Sequence, residues 1–331
     1  MPDAYLLISY GGPDTMADVI PFLKNATRGR RIPESRLEQV GQHYALFNGR
    51  SPLNDINQKL VCALREELAT RGDHTPVAIG NRNWKPFGSD AMRRLYDDGA
   101  RDFLALSTSA YGCYSACRQY REDLARWVLE AQLPDVSVRK VRPYWDTAGF
   151  FESTVDVVRE ALEQTPQHWR LVFVTHSIPS AMNDASGAAL ALTYEQQHRH
   201  LAQRIAEHLG VKQWDLAFCS RSGRPQTPWL EPDINQHIEH LAANGVSGVT
   251  VIPFGFISDH MEVVFDLDTE AHHTAQRLGL GFFRGRSISD SPVFIKQIAD
   301  LLQNPGDTSC PHHCCLSGMG HGMARPVPAI A

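Results

Sequence analysis

No apolar run in this 331-residue sequence reaches the ~18 residues that a membrane-spanning helix requires, so no membrane span is expected. Strong charge of either sign is also absent. The 32 Lys and Arg against 37 Asp and Glu leave a formal net charge of −5, and no basic block is present, which argues against a nucleic-acid partner. No G-x-G-x-x-G follows the first apolar run and no Walker-type loop occurs. Tyr10-Gly11-Gly12-Pro13 stands there instead, and its proline removes an amide donor that a pyrophosphate cradle would use. The seven cysteines do not make a secreted disulfide framework. Asp3 stands where a signal peptide carries positive charge, so the expected location is the cytoplasm.

What the sequence does contain is a regular beat of short apolar runs. Tyr5–Tyr10, Val77–Asn81, Asp102–Ser109 and Val136–Val141 mark the first half, and Leu171–Thr175, Trp214–Cys219, Gly248–Pro253 and Gly281–Phe283 the second. Amphipathic stretches lie between them at Leu53–Arg71, Ser89–Asp98, Arg118–Glu130, Phe150–Gln164 and Tyr194–Leu209. Near-continuous apolar strands alternating with helices are the mark of parallel sheets covered on both faces. The pattern predicts an α/β protein of two doubly wound, Rossmann-like domains, each with a four-stranded parallel sheet. Their expected spans are 1–145 and 146–304, with the 305–331 tail near the first domain and a last helix, Pro292–Gln303, crossing back to it. Open sheets of this kind take ligands outside the carboxyl ends of their strands.

Two segments after strands carry candidate chemistry. In Thr175-His176-Ser177-Ile178-Pro179, His176 falls where a buried strand ends; it reads either as a hydrogen-bonded core histidine or as a functional imidazole. In Ser258-Asp259-His260-Met261-Glu262 and the residues after it, a helix would align Asp259, Glu262, Asp266 and Glu270 along one stripe. Like charges at that spacing cost roughly 0.2–0.5 kcal/mol per pair. The stripe is either a solvated face or a trail of hard oxygen ligands for a divalent cation. Imidazole and carboxylate together make a mixed nitrogen/oxygen site suited to Fe(II).

Leu6-Leu7-Ile8-Ser9-Tyr10-Gly11-Gly12-Pro13, Thr27-Arg28-Gly29-Arg30, Tyr44, Ser51-Pro52-Leu53-Asn54 and the two segments above occur in the order found in ferrochelatases, and nearly the whole chain resembles that family. The resemblance implies a class II chelatase fold and insertion of ferrous iron, as substrate, into a porphyrin. It assigns iron binding and removal of pyrrole protons to His176 and Glu262, and an outer cation site to Asp266 and Glu270. It places Tyr10, Arg28, His43, Tyr44, Ser51 and Tyr120 against the macrocycle or its propionates. Binding energy from the propionates can hold a bent ring while a neutral imidazole takes its protons.

Substrate choice turns on the lip, Pro21–Pro33, where Lys24, Arg28, Arg30 and Arg31 stand. Cationic donors suit the four carboxylates of coproporphyrin III better than the two of protoporphyrin IX, so coproporphyrin III is expected, for haem b synthesis, with protoporphyrin IX the alternative. A cobalt or nickel chelatase and a non-catalytic haem or iron carrier are the other readings; haem-pathway enzymes are the conceivable protein partners, and a monomer is expected. The tail holds Cys310, Cys314 and Cys315. With Cys117 these make the four thiolates that a [2Fe–2S] cluster uses, and the pattern resembles actinobacterial ferrochelatases, which hold such a cluster. Cys113 is an equivalent internal ligand by spacing, and a Zn²⁺ site using His312 or His313 is the rival. A structural or sensing role is expected of the cluster.

Overall fold

The computed structural model describes residues 1–29, 32–187, 191–222, 226–311 and 314–318. Eight strands form two sheets: β1 (Ala4–Ser9), β2 (Val77–Asn81), β3 (Asp102–Ser107) and β4 (Ser137–Lys140) in the first, and β5 (Arg170–His176), β6 (Trp214–Cys219), β7 (Gly248–Ile252) and β8 (Gly281–Arg284) in the second. Every pairing is parallel, and the orders β2-β1-β3-β4 and β6-β5-β7-β8 repeat one topology. All eight expected strands are present. The central ones are buried except at the ends of β3 and β5, as strands covered on both faces must be.

In each half the connection reverses direction at one point, between β1 and β3 and between β5 and β7. Such a switch point leaves a crevice at the strands' carboxyl ends. Tyr10 follows β1, His176 ends β5, and Pro253 follows β7. Both crevices therefore receive the motif residues by topology alone.

One aromatic core joins the halves: Tyr111, Tyr144, Phe150, Phe173, Phe254 and Phe294 are all buried within it. Across the join, Tyr111 Oη donates to the Phe254 carbonyl at 3.3 Å. Gln197 exchanges two hydrogen bonds with the Gly112 backbone, at 2.8 and 3.1 Å. The last helix, Pro292–Gln303, does reach back: Arg71, just past the helix Leu53–Thr70, meets Asp300 at 2.5 Å and Gln303 at 3.2 Å.

Two helices not read from the sequence, Met16–Ala26 and Glu34–Ala45, form the lip. They bury Val19, Phe22, Leu23, Leu37 and Tyr44 against Met261 of the second half. The helix expected from Ser258 is different in kind. Ser258 and Asp259 lie in a loop, a single α-turn spans Met261–Val263, and the chain then widens into a π-helix over Val264–Ala271. A second π-turn, Tyr114–Arg118, precedes the helix Gln119–Glu130. π-Turns concentrate at functional sites because they displace side chains from ordinary register.

Candidate active site

The sequence brings His176 and Glu262 together from separate elements. His176 is the last residue of β5, paired with Cys219 of β6. Its Nδ1 lies 2.5 Å from the Ser177 carbonyl. A carbonyl only accepts, so Nδ1 carries the proton and the lone pair of the neutral ring sits on Nε2. Nε2 in turn lies 3.4 Å from Glu262 Oε2. Gly255, after β7, packs directly on β5: a Cβ there would fall 2.0 Å from Thr175 Oγ1.

Burial opposes charge on both partners, yet each favours the other's. For His176 desolvation is outweighed by Glu262, the Ser177 carbonyl and Asp266, and its proton affinity rises above the ordinary imidazole value. For Glu262 desolvation is outweighed by the His176 hydrogen bond and by nearby His260, and its carboxyl stays below the usual range. Asp266 goes the other way. Burial, with Glu262 and Glu270 close by, pushes it up to about 7, against the Ser220 hydroxyl that donates to it. Ser220 adopts φ 62°, a left-handed conformation unusual for a residue with a side chain. Glu270 is likewise raised by burial and by Asp233, with His43 opposing. The arrangement offers a proton acceptor braced by a carboxylate, followed by two carboxylates that hold protons more readily than usual.

The remaining expected residues are distributed around this pair. Tyr10 packs edge-on to Phe22 at 6.0 Å, and Phe22 contacts Tyr44 at 6.1 Å. Buried Tyr44 is held protonated by desolvation and by the charges of Glu262 and Tyr10. His43 stacks on Phe265 of the π-helix, ring centroids 4.0 Å apart. Ser51 is buried against the Gly12 turn, its amide bonded to the Pro13 carbonyl at 2.9 Å. Arg28 lines a lip cavity of about 420 Å³ with Lys24, Ile32 and Leu37, and Lys24 is paired there with Glu34 at 2.8 Å. Arg30 and Arg31 lie outside the described residues. Tyr120 is buried, its ring lying 4.0 Å beneath the Arg82 guanidinium.

Several supporting residues carried no readable sequence signal. His260 is half-buried edge-on to Phe256 at 5.2 Å, where desolvation and His176 lower its proton affinity. Asn57 receives the Ser258 hydroxyl at 3.4 Å and donates to Ser9 Oγ at 2.9 Å, tying the loop before Glu262 to β1. Arg284 sits between Asp259, 2.7 Å away, and Asp268, 3.3 Å away. Beneath His176, Thr175, Tyr194 and His198 form a buried chain, with Thr175 Oγ1 2.9 Å from both Tyr194 Oη and His198 Nε2.

The four cysteines expected to act together are drawn together only in part. Cys314 and Cys315 are buried with their sulfurs 3.4 Å apart. Cys310 and Cys314 share a thiol hydrogen bond, which, with burial, pushes Cys310 up, and Cys117 is close enough for its charge to raise Cys314. Buried Lys140 donates to Cys117 Sγ at 3.5 Å, and Arg118 to the Cys314 carbonyl at 3.1 Å. Cys113 bonds instead to Ser115, at 3.4 Å. Among the described residues, no group of three or more His, Cys, Asp or Glu has a metal-holding arrangement, and His312 and His313 lie outside them. No helix of the described residues is long and apolar enough to cross a membrane.

Comparison with known proteins follows the same lines. The family described as ferrochelatase matches residues 2–305. The coproporphyrin III ferrochelatase of Streptomyces griseus is 45% identical, covering 96% of this chain and 90% of its own length. The proteins of the same name from Streptomyces coelicolor, 47% identical over 92% and 86%, and Mycolicibacterium smegmatis, 44% identical over 91% and 88%, are similar to it as well. Among solved structures, SirB from Bacillus subtilis with Fe3+ superposes with a TM-score of 0.55 at 13% identity, covering 92% of this chain and 96% of its own. That is a likeness of fold.

Proposed function

The chain belongs to the ferrochelatase family, and from that premise we propose that it inserts ferrous iron into coproporphyrin III, with His176 and Glu262 performing the exchange. The enzyme is a metal chelatase. The observation that carries the assignment of residues is the His176–Glu262 approach of 3.4 Å with Nδ1 anchored on a carbonyl. A fixed Nε2 lone pair takes a pyrrole proton, and Glu262 stabilises the imidazolium that results. Two N–H protons leave the macrocycle as one Fe²⁺ enters, each taken in turn by Nε2 and passed by way of Glu262 to solvent, so the charge of the ring system is unchanged. Asp266, poised near neutrality, and Glu270 pass the ion inward, since a carboxylate close to half-protonated exchanges a proton for a cation readily. In this reading the halves 1–145 and 146–304 are the two walls of the site.

The names of the relatives and the cations at the lip support coproporphyrin III over a porphyrin with two carboxylates. Anaerobic competition of coproporphyrin III and protoporphyrin IX for Fe²⁺ tests the choice. A kcat/KM ratio of at least tenfold for coproporphyrin III is expected; parity or reversal assigns the enzyme to protoporphyrin IX.

A [2Fe–2S] cluster on Cys117, Cys310, Cys314 and Cys315 belongs to the same reading. The donor chemistry suits it: four thiols, with one pair 3.4 Å apart, near the roughly 3.8 Å between two sulfurs each about 2.3 Å from one tetrahedral ion. When bound, such a cluster supplies a cross-link between the tail and the first sheet, while Lys140 and Arg118 offset the charge of the thiolates and hold the segment in place. Protein isolated without oxygen is expected to be coloured and to contain about two irons and two sulfides per chain. Colourless protein loaded with zinc overturns this.

A further inference from the structure

After β2 the chain runs Asn81-Arg82-Asn83-Trp84 alongside the residues that close β1. Arg82 N donates to the Ser9 carbonyl at 2.9 Å and Asn83 N to the Tyr10 carbonyl at 3.1 Å. This is the carboxyl end of a strand, facing the crevice of the first sheet. The lip covers it: Asn25 of the helix Met16–Ala26 donates to the Asn83 carbonyl at 3.1 Å.

The Arg82 side chain is only 9% exposed. Asp123 pairs with it, Gln119 Oε1 accepts from Nη1 at 3.2 Å, and the plane lies over Tyr120. The Tyr10 hydroxyl is near enough to feel its charge. One arm is left over. Arg82 Nη2 is buried with no hydrogen-bond partner among the described residues, and so is the side-chain amide nitrogen of Asn83, a residue 4% exposed. Buried donors are almost always satisfied, and an unsatisfied one calls for a ligand or a reason. The local charge balance is also incomplete, because Asp123 serves Arg126 as well, at 2.8 Å. The nearby Glu122 is taken up by Arg118 at 3.0 Å and Tyr114 at 3.0 Å. Asn81 Oδ1 is unpartnered too, but it is an acceptor, and Asn81 lines a separate cavity with Asp14 and Asn54.

Two idle donors, a guanidinium and an amide, exclude a cation and fit a carboxylate, which takes an arginine fork best. We propose that Arg82 Nη2 and Asn83 Nδ2 form a carboxylate subsite beneath the lip that receives one acidic arm of the tetrapyrrole. The proposal rests on the tetrapyrrole reading above. It also explains why Tyr120, expected to touch a propionate, lies buried: it is the platform on which Arg82 is held flat. Arg82 is then a residue of substrate positioning.

The test is steady-state iron insertion by the full chain, with KM for coproporphyrin III and kcat measured separately. Arg82→Met is expected to raise KM at least tenfold while kcat stays within threefold, the signature of lost uniform binding. Asn83→Ala, which leaves the Arg82–Asp123 pair intact, is expected to raise KM about threefold, with an unchanged melting temperature. Arg82→Lys, which keeps the charge but not the fork, is expected to fall between wild type and Arg82→Met. Should Arg82→Met fail to fold, Arg82→Lys and Asn83→Ala decide the matter: wild-type KM in both overturns the subsite. Loss of kcat without change in KM overturns it as well, by assigning Arg82 a structural role. Failure of the wild-type enzyme to metallate coproporphyrin III would sink the tetrapyrrole reading itself, a result recognisable before any variant is made.

Discussion

His176→Ala is expected to lower kcat for ferrous iron insertion by at least about a thousandfold, within the 10²–10⁴ range that a positioned general base contributes. Porphyrin affinity, followed by quenching of porphyrin fluorescence, should stay within a few-fold of wild type. The argument is geometric. Nδ1 is committed to the Ser177 carbonyl at 2.5 Å and Nε2 alone faces Glu262, so no other nitrogen on β5 can take over the proton. Glu262→Gln keeps the shape of the partner but loses the charge that stabilises imidazolium, and should cost about tenfold to a hundredfold. Turnover by His176→Ala within tenfold of wild type would remove the base assignment.

The second large effect concerns stability. His198 is wholly buried, with Nδ1 2.7 Å from the Tyr194 carbonyl and Nε2 accepting from Thr175 at 2.9 Å. Every polar atom of the neutral ring is satisfied; a proton on Nε2 would turn an acceptor into a second donor against Thr175. Burial accordingly pushes its pKa down to about 3, the Tyr194 carbonyl opposing only in part. The ordinary value, near 6.5, returns when the chain unfolds. Between those values the unfolded chain binds one proton more than the folded chain, so stability falls as pH falls, by about 1.4 kcal/mol per unit. From pH 7 to pH 5 this single group should remove about 2 kcal/mol. Urea unfolding at the two pH values measures it. His198→Gln is expected to be less stable at pH 7 but to have a pH slope shallower by one proton. An unchanged slope would mean that His198 is charged or exposed in the fold.

Both sheets were legible because β1 and β7 are buried along their whole length and β5 everywhere but at its two ends, and burial on both faces leaves a continuous apolar imprint. His176 drew attention because it ends such a run, and Glu262 because it belongs to an acidic stretch beyond β7; their 3.4 Å approach is what the fold adds. The lip helices were not legible. Met16–Ala26 contains Pro21 and follows a polar turn, and its apolar face packs on Leu37 and Tyr44 of the next helix and on Met261, some 240 residues on, which no local pattern reports. The π-helix was invisible for a related reason: its wide turn is fixed by packing across the halves, including the His43–Phe265 stack, rather than by residue preference. Charge context was hidden in the same way. Asp266 reads as one acid among four, and only the surroundings of Ser220, Glu262 and Glu270 set it apart. The role of Arg82 depends on what fails to touch it.

The widened coil from Val264 to Ala271 has a consequence for how this protein tolerates change. Each residue of an ordinary helix advances by about 100°, so removing one residue between Glu262 and Glu270 and closing the coil into a regular spiral would leave those two acids seven positions apart, still on one face. No side chain would have been altered in kind. In the proposed reading the direction of the outer acid therefore survives such a shortening, and losing an acid outright should be the more harmful change.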